Sequence, residues 1–183
     1  GQYDNARDIF WASGAAMLVR RSALDEVGLF DERFVMHMEE IDLCWRLQRH
    51  GYRIRVAPAS SVHHVGGGSL PSHNPRKAYL NFRNNLLLLY KNLPPAVWNT
   101  VFRQRVALDG AAMARAAASG RPREAAAIVR AYRDAHKMSK MYRDERPGSS
   151  DNIVLPSYRG RIVVDYFARG RKRFSDLPED RFR

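Results

Sequence analysis

Three carboxylates lie at the start of one predicted helix, and two histidines end the extended segment that follows it. The carboxylates are Glu39, Glu40 and Asp42, and the histidines are His63 and His64. Free N–H groups and the helix dipole favour the ionised carboxylate at a helix N-terminus, so it can accept a proton near neutral pH. An imidazole can supply one nitrogen ligand to a divalent metal ion. The pattern therefore allows a general base beside a metal ligand.

Structural roles compete with this chemistry. Asp42 and Arg46 are four residues apart, a spacing at which the two side chains pair along one helix face. Glu39 and Glu40 equally fit a helix that simply begins with acidic residues. The two histidines are adjacent in an extended segment, so their side chains point to opposite faces and at most one of them can face a given site.

Local signals predict the elements that position these residues. A helix is predicted from about residue 39 to residue 49, and alternation predicts a half-buried strand at 53–57. Ser22 is predicted to cap the short helix before it, which ends at Gly28. Cys44 lies in mid-helix and is predicted to be a buried apolar residue. As the one cysteine of the chain, it excludes a disulfide framework.

The second part of the chain is predicted to be helical. A glycine-rich loop at 66–71 separates the two parts, and it lacks the pattern of a phosphate-binding loop. The segments predicted after it are helices at 78–91, 97–118 and 122–143, a linker at 146–150 and a short amphipathic segment at 162–168.

Charge divides the chain in the same way. Its 183 residues carry a net charge of +12. Residues 1–70 hold 8 Lys and Arg against 9 Asp and Glu, whereas residues 71–183 hold 23 against 10. Such a basic surface attracts anionic lipid, nucleic acid or phosphorylated substrates. No run approaches the roughly 18 apolar residues that a membrane span needs.

Several ordered motifs resemble those of a known enzyme family. They lie at 14–21 (GAAMLVRR), 27–34 (VGLFDERF), 39–46 (EEIDLCWR), 51–52 (GY) and 62–67 (VHHVGG). In order and spacing they resemble the C-terminal half of family-2 glycosyltransferases, over about residues 10–92. The stretch at 81–94 (NFRNNLLLLYKNLP) resembles the bacterial rhamnosyltransferase-like branch.

The resemblance implies an α/β architecture. The chain would hold the C-terminal part of a GT-A domain, which is Rossmann-like, followed by a mainly α-helical basic extension. The expected division is an acceptor-side portion of the catalytic domain at 1–75, a helical extension at 76–146, and a linker with a basic amphipathic tail at 147–183.

The resemblance also implies an inverting transfer from a nucleotide-sugar donor. Glu40 matches the position of the family's catalytic base, with Glu39 as its acidic neighbour, and the choice between the two stays open. His64 matches the position that coordinates a divalent metal, Mg²⁺ or Mn²⁺, in related enzymes. Supporting roles in the same motif fall to Asp42, Trp45 and Arg46.

One departure from the family pattern concerns the donor. No Asp-x-Asp motif occurs in the chain, and the nucleotide-binding half is absent from these residues. Residues outside this chain would therefore complete the metal site and the nucleotide pocket, and no residue here is assigned to the nucleotide. We expect the isolated chain to be inactive.

The expected partners are a nucleotide-sugar and a saccharide or lipid-linked acceptor, as in cell-surface polysaccharide synthesis. The expected location is cytoplasmic, with peripheral docking on the anionic inner face of the cell membrane through residues 162–173. Two alternatives stay open. One is a basic nucleic-acid-binding module, although residues 71–183 lack a recognisable zinc-finger, RRM or KH signature. The other is a noncatalytic interaction domain.

Overall fold

The computed structural model describes residues 4–64, 74–148, 158 and 160–181, so the predicted glycine-rich loop lies outside the described residues. The described part is mainly helical. Its α-helices are α1 (Arg21–Val27), α2 (Glu39–Arg49), α3 (Pro75–Asn92), α4 (Pro95–Ala118), α5 (Pro122–Ser139) and α6 (Ile162–Phe167). Short 3₁₀ helices occur at Gly14–Ala16, Glu32–Phe34, Lys140–Glu145, Phe174–Asp176 and Glu179–Arg181.

The predicted strand at 53–57 is wrong for the described residues. This segment is extended, but a single antiparallel bridge, between Asp8 and Arg55, is its only strand-like pairing there. Backbone hydrogen bonds of 2.9 and 3.0 Å flank that bridge. Two paired segments gain too little to form a lasting ladder without further strands or a packed face. The described residues therefore do not themselves display the α/β sheet that the resemblance implies.

Helix boundaries follow the local signals in most places. The predicted bounds of α2 are confirmed, and Gly28 ends α1 with a φ of 83°. The prediction that Ser22 caps α1 is wrong, because the helix already begins at Arg21. The Arg20 carbonyl accepts the first helical hydrogen bonds, and Arg21 pairs with Asp25 at 2.8 Å, one turn on.

The larger helices form the main core. Each of α3, α4 and α5 begins with a proline, which suits the first helical turn because its missing N–H would be unpaired there. The helix predicted at 122–143 ends at Ser139 and continues as a 3₁₀ helix. Buried residues of the main cluster are Phe34, Leu86, Leu87, Leu88, Ala135 and Tyr142. A second cluster, Ala23, Leu43 and Leu47, joins α1 to α2, and Cys44 is fully buried as predicted.

Candidate active site

A cavity of about 440 Å³ opens at the N-terminal end of α2. Both predicted catalytic residues, Glu39 and Glu40, line it. The other described lining residues are Gly14, Phe30, Asp31, Glu32 and Val35. We call this space the acidic cavity. The structure thus places the candidate base in a concave site beside three further carboxylates, where a substrate could lie.

Two carboxylates at the start of α2 have buried oxygens without partners among the described residues. One oxygen of Glu39 and one of Glu40, both Oε2, are buried and form no hydrogen bond within the described residues. The Nε2 atom of His37 is also buried and forms no hydrogen bond within the described residues. An unpaired buried polar atom destabilises the fold, so such atoms are rare outside functional sites. A hydroxyl entering the acidic cavity could donate a hydrogen bond to either glutamate.

Burial changes the proton affinity of Glu40. Loss of hydration raises the pKa of its carboxyl above the usual 4.5, and the negative charge of Glu39 raises it further. A hydrogen bond from its own backbone N–H and the nearby His37 oppose this rise without cancelling it. The helix start favours the ionised form, as the sequence indicates, but desolvation outweighs that effect here. A carboxylate with a raised pKa is a stronger base.

The loop that enters α2 has an unusual backbone. Three non-glycine residues with positive φ lie in it or at its end: Val35 (64°), His37 (69°) and Met38 (77°). The N–H of Met36 donates to the carbonyl of Phe34 at 2.7 Å, which makes a γ-turn centred on Val35. This turn is rare and strained, and most of all for a β-branched residue. Strain therefore lies directly before the candidate base.

Two side chains of α3 hold this loop in place. The amide nitrogen of Asn84 donates to the carbonyls of Phe34, Met36 and His37 at 2.7, 2.6 and 2.9 Å. Arg83 donates to the carbonyl of Phe34 at 3.1 Å. Asn84 is fully buried and Arg83 nearly so. Their hydrogen bonds offset the strain and fix the start of α2 relative to α3.

Replacing Val35 by glycine tests the strain. The substitution removes a strain of about 1–3 kcal/mol, against an entropic cost of about 0.5–1 kcal/mol. We expect the free energy of unfolding to rise by about 1 kcal/mol in urea denaturation. Val129→Gly is the matched control, because Val129 is a similarly exposed valine with ordinary helical geometry in α5. That variant should lose about 0.5 kcal/mol. A loss of stability in Val35→Gly would contradict the assignment of strain.

The contacts of Asp42 indicate a structural role. It is fully buried and accepts hydrogen bonds from Arg46, Lys91 and Asn92 at 2.8, 2.9 and 2.9 Å. The pairing with Arg46 predicted from the four-residue spacing is confirmed. Arg46 also donates to the carbonyl of Leu29 at 2.7 Å and to that of Val27. These two residues therefore join α2 to α3 and to the end of α1.

Lys91 connects this network to the wall of the acidic cavity. Its ammonium lies 2.8 Å from Asp31 and 2.9 Å from Asp42, and its side chain is only 4% exposed. Burial alone would raise the pKa of Asp31, but hydrogen bonds from Arg33 and Lys91 outweigh burial and hold that pKa well below its usual range. Asp31 is therefore ionised and fixed, whereas Glu39 and Glu40 each keep a buried carboxylate oxygen that has no partner among the described residues.

Trp45 also packs into the fold. Its ring meets that of Phe10 edge to face, with centroids 5.4 Å apart, and it packs against the main core cluster. Its indole N–H is buried and has no acceptor within the described residues. Trp45 is not among the described residues that line the acidic cavity. Its contacts position α2.

The structure does not include the predicted metal ligand in the described lining of the acidic cavity. His63 and His64 are both exposed, and His64 is not among the described residues that line the acidic cavity. No three His, Cys, Asp or Glu side chains within the described ranges group closely enough to hold a metal ion. The described residues alone do not complete a metal centre.

Sequence reasoning assigned no role to four buried polar residues of α3. They are Arg83, Asn84, Lys91 and Asn92. A signal for them exists, because two adjacent polar pairs recur after eight residues around the apolar run at 86–89. This spacing places both pairs on one face of the helix. That face contacts α2 and its entry loop.

Comparison with known proteins identifies the family of this chain. A family model described as "Glycosyl transferase family group 2" matches residues 2–106, which is more than half of the chain. The chain belongs to this family. The matched range includes the acidic cavity, α2 and α3, and the resemblance inferred from the motifs is confirmed.

Several characterised glycosyltransferases are similar to parts of this family member. It is 47% identical over 58 residues to the N-acetylglucosaminyl-diphospho-decaprenol L-rhamnosyltransferase of Mycobacterium tuberculosis, covering 32% of this chain and 19% of that protein. It is 43% identical over 54 residues to rhamnosyltransferase WbbL of Escherichia coli K12, covering 30% and 20%. The low-salt glycan biosynthesis hexosyltransferase Agl10 of Haloferax volcanii is 27% identical over 88 residues, covering 48% and 29%.

These alignments span less than a third of each relative's length. No solved structure significantly matches this glycosyltransferase-family chain. Among the described residues, no helix has both the length and the apolar character needed to cross a bilayer.

Proposed function

We propose that this chain supplies the catalytic base and the acceptor side of an inverting glycosyltransferase. One observation carries the proposal: Glu40 lines the acidic cavity at the start of α2, and one oxygen of its carboxylate has no partner among the described residues. Family membership supplies the class of reaction, and the cavity supplies a place for the acceptor.

In the proposed reaction, Glu40 accepts the proton of an acceptor hydroxyl as that oxygen attacks the anomeric carbon of the donor sugar. The new glycosidic bond forms while the bond to the nucleoside diphosphate breaks, and the configuration inverts. Glu39 is the alternative base, since its oxygen is equally buried and unpaired. Asp42, Arg46 and Trp45 act by positioning α2. Proton removal by a placed base contributes about 10²–10⁴ in rate.

The α/β GT-A fold is proposed from the family and from the backbone pairing between Asp8 and Arg55. The division of the chain into segments 1–75, 76–146 and 147–183 is also a proposal. The start of α3 at Pro75 supports the first boundary, and the end of a 3₁₀ helix at Glu145 supports the second. Contacts of Lys91 with Asp31 and Asp42 fasten the helical extension to the acceptor side.

A divalent metal, Mg²⁺ or Mn²⁺, belongs to the same proposal. When bound, it would neutralise charge that develops on the leaving diphosphate. His64 would supply one nitrogen ligand, and the remaining ligands would come from outside the described residues.

The proposed donor is a nucleotide-sugar, and the proposed acceptor is a saccharide carried on a lipid diphosphate. The printed name of the Mycobacterium tuberculosis relative describes such an acceptor for that protein. The arginine-rich surface of this chain suits an anionic acceptor. The test is transfer of a labelled sugar by the full-length gene product to a prenyl-diphosphate-linked saccharide. Loss of transfer in Glu40→Gln would support the proposal, whereas transfer that does not depend on Glu40 or Glu39 would refute it.

Peripheral docking on the anionic inner face of the cell membrane is proposed for α6. Four large side chains are exposed there: Ile162, Val163, Tyr166 and Phe167. Of the basic residues beside them, Arg169 and Arg171 pair with the buried Asp165 at 2.9 and 2.8 Å. Lys172 lies 3.8 Å from the Tyr166 ring centroid. The apolar side chains therefore contribute most to the proposed docking.

Vesicle binding tests this docking. Phe167→Ser removes an apolar side chain that is 76% exposed, and we expect roughly tenfold weaker cosedimentation with vesicles of mixed neutral and anionic phospholipid. Met141→Ser is the matched control, because Met141 is exposed in the 3₁₀ helix at Lys140–Glu145. Equal binding by the two variants would argue against α6 as the docking element.

A further inference from the structure

A second large cavity lies between α3 and α5, with a volume of about 550 Å³. Four arginines line it, and we call it the arginine cavity. Arg76 and Arg83 come from α3, and Arg123 and Arg130 come from α5. Tyr79 and Val35 are also among its lining residues. Four guanidinium groups converging on one concave space are typical of a site for a multiply charged anion.

The described residues do not neutralise the cations of this cavity. None of its four arginines forms a salt bridge with any described residue, whereas the buried carboxylates of Asp42 and Asp165 are paired with cations. Arg130 lies 4.2 Å from the ring centroid of Tyr79, and the hydroxyl of that tyrosine donates to Asp134 at 3.0 Å. These contacts orient the side chains and leave the guanidinium N–H groups of Arg130 available to a ligand.

Arg83 joins the arginine cavity to the candidate active site. Its Nε and Nη2 atoms donate to Asn84 and to carbonyls of the loop before α2, but its Nη1 atom has no acceptor among the described residues. The side chain is held by these bonds and is nearly buried. Val35, the residue at the centre of the strained turn, lines both cavities. The two sites are therefore direct neighbours of opposite charge.

We infer that the arginine cavity binds the diphosphate group of the acceptor, while the sugar attached to that group lies in the acidic cavity. This inference rests on the proposed function, and it assigns a binding site to one part of the substrate. Its physical basis is that the acidic cavity is lined by carboxylates and the arginine cavity by guanidinium groups. A diphosphate is repelled by the carboxylates around Glu40 and attracted by the arginines, so the two cavities together fix the direction in which the acceptor binds.

Binding of inorganic pyrophosphate to the 183-residue protein tests the site by titration calorimetry. The double variant Arg123→Gln/Arg130→Gln removes two exposed cavity arginines that make no ion pair with a described residue. We expect it to bind pyrophosphate roughly 10- to 100-fold more weakly, the loss typical of charge-assisted hydrogen bonds. The matched control is Arg103→Gln/Arg115→Gln, because both residues are exposed arginines of α4 and do not line the cavity.

Comparison of the two double variants excludes a general effect of charge, since each loses two positive charges. Equal weakening in both, or no weakening in the cavity variant, would overturn the inference. Circular dichroism and thermal unfolding of each variant confirm that it is folded.

Competition distinguishes two sources of the diphosphate. Farnesyl diphosphate and a nucleoside diphosphate are each added against bound pyrophosphate. Displacement by farnesyl diphosphate supports the acceptor assignment. Displacement by the nucleoside diphosphate alone would place the donor in this cavity and overturn that assignment.

Kinetics of the full-length gene product separate this inference from the proposed function. The cavity variant should raise KM for the acceptor about tenfold or more and leave kcat and the donor KM unchanged. Glu40→Gln should lower turnover by roughly 10²- to 10⁴-fold and leave pyrophosphate binding intact. Retained transfer in Glu40→Gln would refute the base, whereas retained pyrophosphate binding in the cavity variant would refute only the arginine site.

Discussion

Replacing Glu40 by glutamine is expected to lower turnover of the full-length enzyme by roughly 10²- to 10⁴-fold. The amide has nearly the same shape as the carboxylate but cannot accept the proton of the acceptor hydroxyl. Because Glu39 also lines the acidic cavity, Glu39→Gln is the matched control. We expect it to lower turnover by no more than about tenfold, since it changes the field at the base and leaves the base in place. A larger loss of turnover in Glu39→Gln than in Glu40→Gln would show that Glu39 is the base.

The pH dependence of kcat/KM gives a second measure of this base. Glu40 must be ionised to act, and burial raises its pKa above 4.5. The acid limb of the profile should therefore lie at higher pH than that of an ordinary glutamate. Glu39→Gln should move this limb to lower pH, because the charge of Glu39 contributes to the rise. An acid limb unchanged by that substitution would contradict the effect of the Glu39 charge on the pKa of Glu40.

The substitution Glu40→Gln should also stabilise the fold at neutral pH. A carboxyl whose pKa is raised by folding binds its proton more tightly in the folded state, so it weakens the fold as pH rises through that pKa. Glutamine has no such charge. The variant Glu40→Gln should thus unfold at a higher temperature than the unmodified protein at pH 7, and the difference should shrink toward pH 4. Higher stability together with lost turnover would identify a group retained for chemistry.

The second large effect concerns Lys91. Replacing it by methionine is expected to lower the free energy of unfolding by about 3 kcal/mol at pH 7. Methionine fills a similar volume but leaves Asp31 and Asp42 without the ammonium that lies 2.8 and 2.9 Å from them. Lys140→Met is the matched control, since Lys140 is exposed, and its stability should change by less than about 0.5 kcal/mol.

The pH dependence of the Lys91 effect follows from Asp31. Burial opposes ionisation, but hydrogen bonds from Arg33 and Lys91 lower the pKa of Asp31 below its usual value of 3.8. Such a group stabilises the fold above its unfolded pKa, and this stabilisation is lost as pH falls toward the folded pKa. The difference between Lys91→Met and the unmodified protein should therefore be greatest near pH 7 and shrink below about pH 4. Urea denaturation at both pH values measures it, and a difference that grows in acid would contradict the network.

Features that depend on neighbours within a few residues were predictable from the sequence. The bounds of α2, the end of α1 at Gly28, the burial of Cys44 and the pair between Asp42 and Arg46 all belong to this group. Each depends on helix geometry or on the left-handed region that glycine adopts freely. The order of the motifs also indicates the family. The cap at Ser22 and the strand at 53–57 are wrong, and the helix predicted at 122–143 ends at Ser139. The strand could not be predicted locally because its pairing depends on distant segments.

Contacts across long sequence separations were decided by tertiary structure alone. Lys91 meets Asp31 across 60 residues, and Asn84 meets the carbonyl of Phe34 across 50. No local pattern encodes such a pairing, because it exists only once α3 has packed against the loop before α2. The raised pKa of Glu40 arises in the same way, since desolvation depends on what surrounds the carboxyl. The sequence by itself determined which groups are present and which helix holds them. Packing decided which carboxylates are paired and which remain free to react.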